Sequence, residues 1–112
     1  MDMSSALAAF GALSQQTRLE VFRLLIEAGP DGLAAGEIAE RAGVRQNLMS
    51  THLNILHQAG LTRVRREGRW IFHAIEMEAV RGLIAFLIED CCKGRPSDCA
   101  KLIDAVAPSC CA

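Results

Sequence analysis

The chain lacks any hydrophobic run long enough to cross a membrane, and it lacks a strong excess of charge of either sign. The best candidate for a span, Leu83 to Ile88, is far short of the roughly 18 residues that a transmembrane helix needs. The first residues have no basic region followed by an apolar core, so no secretory signal is predicted. Twelve Lys and Arg against 13 Asp and Glu give a net charge of −1. The molecule as a whole is therefore not a basic nucleic-acid binder, and we expect a cytoplasmic protein.

Cysteine is absent from the first 90 residues, yet the last 22 hold all five: Cys91, Cys92, Cys99, Cys110 and Cys111. An odd count without a signal sequence argues against the disulfide framework of a secreted domain. Thiols in a reducing cytosol are more often metal ligands or redox switches than structural cross-links. This clustering is the most informative feature of the sequence.

Length and composition favour one small globular domain. The chain has 112 residues, of which 51% are apolar and 22% charged, and these are values typical of folded rather than disordered chains. No internal repeat or low-complexity segment interrupts it. Small helical domains of this size often gain stability by forming dimers.

Positive charge is concentrated in the middle of the chain. Residues 1–40 carry a net charge of −4 and residues 70–112 a net charge of −2, whereas residues 41–69 carry +5. Every base in that block is arginine, the side chain best suited to bidentate contacts with phosphate and guanine. A solvated arginine-rich surface explains the block equally well, but a local basic patch on an acidic body is what a small DNA-binding module needs.

Hydrophobic periodicity predicts helices over most of the chain. A first helix follows Ser4 and Ser5, and Ser14 is the expected N-cap of a second helix, which ends at the turn Gly29–Gly32. A third helix is predicted over Ala34–Arg41 and is closed by Gly43, and a fourth over Arg45–Gln58.

The apolar period changes to two after Gly60. Strands are predicted over Leu61–Arg65 and Arg69–Ile75, joined by a turn at Arg66–Gly68 into an antiparallel hairpin. A long helix follows over Ala79–Cys92. After a stop at Gly94–Pro96, a short helix is expected over Cys99–Val106.

This order of elements is typical of a winged helix-turn-helix. We expect a mainly α (α+β) fold with four helices, one β-hairpin wing, a fifth helix and a short C-terminal helix. The third and fourth helices, joined by a short glycine-containing turn, form the helix-turn-helix, and the second of them enters the major groove. Residues 1–93 are assigned to the DNA-binding and dimerisation domain. Residues 94–112 are assigned to a cysteine-rich, effector-binding tail.

Three motifs in register resemble those of the ArsR-type (ArsR/SmtB) metalloregulatory repressors. The stretch LSQQTRL, Leu13 to Leu19, resembles the opening motif of that family. QNLMSTHLNILHQAGL, Gln46 to Leu61, resembles its recognition helix and the entry to its wing, and RREGRW, Arg65 to Trp70, resembles its wing tip. The resemblance covers roughly residues 5–90, and three motifs in register are far more specific than one.

The resemblance implies a cytoplasmic homodimer whose first and last long helices pack across a two-fold axis. Its two recognition helices would read an inverted-repeat operator in double-stranded DNA. The groove-facing candidates at the N-terminal half of the recognition helix are Gln46, Asn47, Ser50, Thr51 and His52, and the wing candidates for backbone or minor-groove contacts are Arg65, Arg66 and Arg69. For His52, packing within the helix bundle is an equally good interpretation. His57 and His73 stand alone and are expected to be structural.

Members of the family bind an effector ion that weakens DNA binding, and the position of that site varies. One type places a cysteine pair in the third helix, where this chain has no sulfur; the zinc-sensing type needs histidine in the last helix, and this chain has none beyond His73. The effector site therefore falls to the C-terminal thiols Cys91, Cys92 and Cys99. Adjacent cysteines with a third one resemble the C-terminal arsenic sites of some members. The expected effector is trivalent arsenic, as arsenite or methylarsenite. Antimonite, the analogue of arsenite, is a further candidate.

Other interpretations of the thiols stay open at this point. Cadmium, lead or zinc also bind thiolates, although the spacing does not match the usual structural zinc patterns. An oxidant-sensing repressor would use a disulfide in place of an ion. A small thiol enzyme would need a phosphate-cradling loop or a C-x2-C motif, and neither is present, so no catalytic residue and no catalytic cofactor are predicted. Cys110 and Cys111 are expected to be a dispensable tail or an alternative ligand pair.

Overall fold

The computed structural model describes residues 1–89 and 96–111, and it confirms the predicted winged helix-turn-helix. Helices α1 to α5 and a hairpin follow in the expected order, with one additional short strand and a longer last helix. The elements are α1 (Met3–Leu13), α2 (Gln16–Ala28), β1 (Leu33–Ala34), α3 (Ala35–Ala42), α4 (Gln46–Gln58), β2 (Thr62–Glu67), β3 (Trp70–Ile75), α5 (Met77–Glu89) and α6 (Pro96–Cys111).

The boundary between α1 and α2 lies one residue later than predicted. Gln15, not Ser14, is the N-cap of α2, and its side-chain oxygen accepts a hydrogen bond from the backbone N–H of Arg18 at 2.8 Å. Ser14 instead caps the end of α1, where its hydroxyl donates to the carbonyl oxygen of Gly11 at 2.9 Å. Ser14 and Gln15 thus cap the end of α1 and the start of α2, respectively. The preference for serine at N-caps led to the wrong assignment of Ser14 to α2.

The turn of the helix-turn-helix is built around Gly43, as predicted. Gly43 has φ of 67°, a left-handed conformation that only glycine adopts at low cost, and it ends α3. The next residue, Val44, donates its N–H to the carbonyl oxygen of Ala39 at 3.0 Å. Ile38 and Ala39 are buried against α4 and its neighbours. This turn sets the direction in which α4 leaves the body of the protein.

The wing differs from its prediction in two ways. Arg66 and Glu67 belong to β2, so the turn is the two-residue Gly68–Arg69, with Glu67 paired to Trp70. A third strand, β1, pairs antiparallel with β3 and gives the sheet order β1-β3-β2. Gly32 precedes β1 because a Cβ there would lie 2.2 Å from the backbone oxygen of His73. A two-residue strand has no alternation of its own, so no strand was predicted here and Ala34 was assigned to the start of the third helix.

The core lies where α2, α3, α4 and the base of the sheet meet. Its largest fully buried side chains come from each of those elements: Val21, Leu25, Ile38, Met49, Leu53, Leu56 and Leu61. The fully buried residues of α1 are the small Ala6, Ala9 and Ala12, which lets the helix pack closely on α2 and α4, while Phe10 and Leu13 pack against the core from partly buried positions. The core therefore fixes α4 along one side only and leaves its other side to solvent.

The two last helices are the least embedded. Only Leu83 of α5 is buried among the described residues of that helix. Helix α6 begins at Pro96, a position that proline favours at a helix start, and it runs past Pro108 to Cys111, so the predicted limits Cys99–Val106 were too short. An internal proline removes one backbone hydrogen bond but does not by itself end a helix. Among the helices that the structure describes, none has the length and apolar character that a bilayer span requires.

Candidate nucleic-acid interface

The outward face of α4 carries the predicted groove-facing residues. Gln46, Asn47, Ser50 and Thr51 are all exposed, whereas Met49, Leu53 and Leu56 on the other side are buried. At 100° per residue, Asn47 and Thr51 lie almost directly opposite the buried side. The hydroxyl of Ser50 donates to the carbonyl oxygen of Gln46 at 3.0 Å, so its lone pairs stay available to accept a hydrogen bond. The geometry is compatible with the predicted contacts, which remain predictions.

Two further polar residues extend the same face. Asn54 follows Asn47 by seven residues and Ser50 by four, and Gln58 follows Asn54 by four; both are exposed. They place amide groups, the side chains that pair with adenine edges, along the full length of α4. The sequence analysis missed both because it considered only the N-terminal half of the helix. The three- and four-residue spacing from Thr51 and Ser50 could have identified Asn54.

His52 does not share this outward face. Only 9% of the residue is exposed, and its Nδ1 lies 3.4 Å from Nη1 of Arg18 on α2. Its burial, and second the positive charge of Arg18, lower the pKa of His52 below its ordinary value. A neutral ring that accepts at Nδ1 suits this environment. Of its two interpretations, the burial favours packing within the bundle over contact with a base.

Arg18 connects three helices. Its Nε donates to the carbonyl oxygen of Ala12 at the end of α1 at 2.6 Å, its backbone N–H is capped by Gln15, and its Nη1 reaches His52 on α4. The guanidinium has donors enough for both side-chain contacts at once, since the contact to Gln15 uses the backbone N–H. Arg18 therefore fastens the end of α1 to the inner side of the helix that presents the exposed amides. Neither residue was assigned this role from the sequence, because they are 34 positions apart.

The wing arginines form two groups. Arg63 donates to the carbonyl oxygen of Pro30 at 3.2 Å, and Arg65 donates to that of Asp31 at 3.1 Å. Arg65 also forms an ion pair with Glu67 and stacks over the ring of Phe72, 4.6 Å from its centroid. Arg66 and Arg69 are exposed and have no hydrogen-bond or ion-pair partner among residues 1–89 and 96–111. All three predicted wing arginines are at the surface, but Arg65 is already engaged within the protein.

His57 and His73 lie at the base of the wing, where the prediction expected structural roles. Nδ1 of His57 is 3.1 Å from the carbonyl oxygen of Thr62. His73 is 9% exposed on β3, and its burial, followed by the charge of His57, lowers its pKa. Both rings thus sit in the joint between α4 and the sheet, and neither faces the outward side of α4.

The predicted thiol site falls largely outside the described part of the chain. Cys91 and Cys92 lie in the stretch 90–95 that the structure does not describe, while Cys99, Cys110 and Cys111 lie on α6. Within the described ranges, no three His, Cys, Asp or Glu side chains come together in a group that could hold a metal ion. The assignment of Cys91, Cys92 and Cys99 to an effector site therefore stays a prediction.

An apolar surface extends over α1 and α5, which contact each other. Met3 and Leu7 on α1 are 62% and 63% exposed, and Ile84 and Leu87 on α5 are 54% and 56% exposed. Each pair is spaced by three or four residues and therefore shares one helix face. A wholly apolar groove of about 250 Å³ continues this surface between α5 and α6; its lining residues are Ile84, Ile88, Leu102, Ile103 and Val106.

Comparison with known proteins agrees with this architecture. The sequence model of a helix-turn-helix domain family matches residues 13–65. The arsenical resistance operon repressor of Bacillus subtilis is 34% identical over 83 residues, which are 74% of this chain and 75% of that protein.

Two solved structures share the fold. The crystal structure of the ArsR family transcriptional regulator RHA00566 superposes with a TM-score of 0.69 at 27% identity, over 80% of this chain and 90% of that one. The homodimeric winged helix-turn-helix DNA-binding domain of Mb0332 from Mycobacterium bovis has a TM-score of 0.64 at 23% identity, over 80% and 82%.

Proposed function

The chain belongs to the ArsR family of helix-turn-helix transcriptional regulators, and from this premise we propose that it is an arsenic-responsive repressor. It acts in the cytoplasm as a homodimer on an inverted-repeat operator. Trivalent arsenic, bound by Cys91, Cys92 and Cys99, releases it from the DNA. It is a binding protein and has no catalytic cofactor.

The observation that carries the DNA-binding part is the arrangement of α4 beside the wing. One side of α4 is anchored in the core, and its outward side presents Asn47, Ser50, Thr51 and Asn54. Arg66 and Arg69 stand exposed on the neighbouring hairpin. Amide and hydroxyl groups read base edges while arginines contact phosphates, so the two elements supply specificity and affinity respectively.

The dimer is supported by the apolar surface of α1 and α5. Met3, Leu7, Ile84 and Leu87 leave apolar area in water that a second copy would cover. In a dimer formed through this surface we expect the two copies of α4 to face successive turns of the duplex. The homodimeric state of the solved Mb0332 domain supports the same assembly.

The effector part rests on the chemistry of the donors. Three thiols without a neighbouring histidine suit a soft, thiophilic ion, and trivalent arsenic takes three sulfur ligands. The similarity to an arsenical resistance operon repressor supports the same effector. Cys91 and Cys92 come two and three positions after the end of α5 at Glu89. Because α5 is one of the two proposed dimer helices, we expect an ion bound there to act on the dimer. A coupling of about 1–3 kcal/mol between ion and DNA is sufficient for regulation, a 5–150-fold change in affinity.

The experiment that tests the proposal has two steps on the reduced, full-length protein. Selection from a random library of 30-base-pair duplexes is expected to enrich an inverted repeat. Titration of the resulting complex with arsenite, followed by the anisotropy of labelled DNA, is expected to show release. Cys91→Ser, Cys92→Ser and Cys99→Ser should lose this response, whereas Cys110→Ser and Cys111→Ser are matched controls that should keep it.

Each alternative predicts a different result in the same titration. Release by an oxidant but not by arsenite would identify a redox-sensing repressor. Release by methylarsenite that survives in Cys99→Ser would identify a two-thiol organoarsenical sensor. Failure to enrich any duplex would contradict the DNA-binding function itself.

A further inference from the structure

The single tryptophan of the chain is left in water at the end of the wing. Trp70 is 64% exposed, more than any other large hydrophobic residue among those described. It is the first residue of β3, directly after the two-residue turn Gly68–Arg69. Exposed single hydrophobic residues are common on protein surfaces, but an indole leaves an unusually large apolar area unburied. Its position therefore requires an explanation beyond the stability of the hairpin.

The charges around Trp70 make the wing tip attractive to nucleic acid. Glu67, directly across from Trp70, is the one acid in residues 41–69, and its carboxylate is paired with Arg65. Arg65 is held further by Asp31 and by the ring of Phe72. Arg66 near the end of β2 and Arg69 in the turn are left exposed and without a partner in the described chain. The tip thus presents the Trp70 ring beside the guanidinium group of Arg69, with that of Arg66 available on the opposite face of the hairpin.

The dimensions of the wing allow this tip to reach the groove next to that occupied by α4. Strand β2 begins at Thr62, four residues after α4 ends at Gln58. Strands of six residues extend about 20 Å from that joint at 3.3 Å per residue. With α4 in the major groove, the groove that flanks it is the minor groove. A narrow two-residue turn with arginines and one apolar side chain matches what minor-groove binders insert there.

We propose that Trp70 is a DNA contact, whose indole packs on the sugars and base edges of the minor groove while Arg66 and Arg69 hold the adjacent phosphates. This inference rests on the proposed DNA-binding function and deepens it by naming an apolar contact of the wing. Tryptophan and arginine dominate the affinity of many interfaces, because a large flat side chain excludes water from its neighbours. The contact is noncovalent.

The single tryptophan makes a direct test simple, because all intrinsic indole emission comes from Trp70. The probe is the duplex enriched from the random library by the full-length protein. Binding is expected to shift the emission of Trp70 to shorter wavelength and to lower its quenching by acrylamide. Trp70→Ala is expected to weaken affinity about 10-fold. Trp70→Phe should recover part of the loss. Ile26→Ala, a large-to-small change at an exposed apolar residue on α2, is the matched control and should change nothing.

The salt dependence of DNA affinity distinguishes the contribution of the Trp70 indole from that of the neighbouring arginines. An apolar contact displaces no counterions, so Trp70→Ala should leave the slope of log affinity against log salt unchanged. Arg69→Ala should reduce the steepness of that slope by about 1. Unchanged Trp70 emission in a complex that is saturated by DNA anisotropy would overturn the inference and leave the proposed function intact. Absence of any enriched duplex would overturn both.

Discussion

The inner and outer faces of α4 differ in what they contribute, although their residues alternate along the same 13-residue helix. Met49, Leu53 and Leu56 face inward and are at most 2% exposed. Asn47, Thr51 and Asn54 face outward and are exposed to solvent. The inner face therefore determines whether the protein folds, and the outer face is free to determine what it binds. This separation allows the family fold to be kept while the DNA sequence that it reads is changed.

The largest effect is expected on the inner face. Leu53→Ala should destabilise the protein by about 2–5 kcal/mol, because it leaves a cavity in a core that cannot collapse around it. The measurement is the free energy of unfolding in urea. Leu48→Ala is the matched control, since Leu48 is on the same helix but 52% exposed, and it should stay within about 0.5 kcal/mol of the parent. Equal losses for the two variants would contradict the division between the faces.

A smaller effect is expected at the contact that anchors the inner face to α1. Arg18→Ala should cost about 1–3 kcal/mol, because it leaves the carbonyl oxygen of Ala12 and Nδ1 of His52 without their donor. Thermal unfolding measures this loss. Arg23→Ala on the same helix, at an exposed position, serves as the control. A full loss of DNA binding at unchanged stability would show instead that Arg18 contacts DNA directly.

Substitutions on the outer face of α4 should weaken DNA binding and leave the stability of the protein unchanged. Asn47→Ala and Asn54→Ala are expected to keep the free energy of unfolding within about 0.5 kcal/mol. The binding free energy of each variant for the enriched duplex should weaken by about 1–3 kcal/mol, because each loses the hydrogen bonds between its amide group and a base edge. Anisotropy titrations on both variants check this. If only Asn47→Ala weakens binding, the DNA-contacting surface of α4 ends before Asn54.

The smallest effect should come from pH, and it concerns two buried histidines, His52 on the inner face of α4 and His73 on β3. Burial lowers the pKa of both His52 and His73, whereas in the unfolded chain both titrate near the ordinary value of about 6.5. Below that pH the unfolded state binds more protons than the folded state, so stability is complete above about pH 6.5 and falls as the pH is lowered through the native values. Urea midpoints between pH 8 and pH 5 test this direction. His73→Gln should flatten the profile.

The elements that the sequence predicted well are those with a local period. The five helices through Glu89 and both wing strands follow from apolar spacings of three to four or of two, since one buried face per element is enough to impose them. Gly43 was identified as the end of α3 because only glycine adopts its left-handed conformation without strain. The exposed N-terminal half of α4 followed from the same spacing.

The features that were missed depend on partners distant in the chain. β1 exists because Leu33 and Ala34 pair with His73 and Phe72 about 40 positions later. The boundary at Ser14 and Gln15 was misplaced because serine is the more common N-cap, whereas in this fold the side chain of Gln15 accepts the N–H of Arg18. The turn at Gly68–Arg69 depends on the register of the whole hairpin, which a three-residue pattern cannot give.

The sequence by itself determined the type of fold, the family resemblance and the polar face of α4, because each depends on the spacing of residue types along one element. Only the tertiary structure decided which polar residues are free to act. His52 faces inward because Arg18 meets it from another helix, and Arg65 is engaged because Asp31 and Phe72 surround it. Arg66, Arg69 and Trp70 remain available. Side chains of the same type differ in role because availability depends on neighbours brought together by folding.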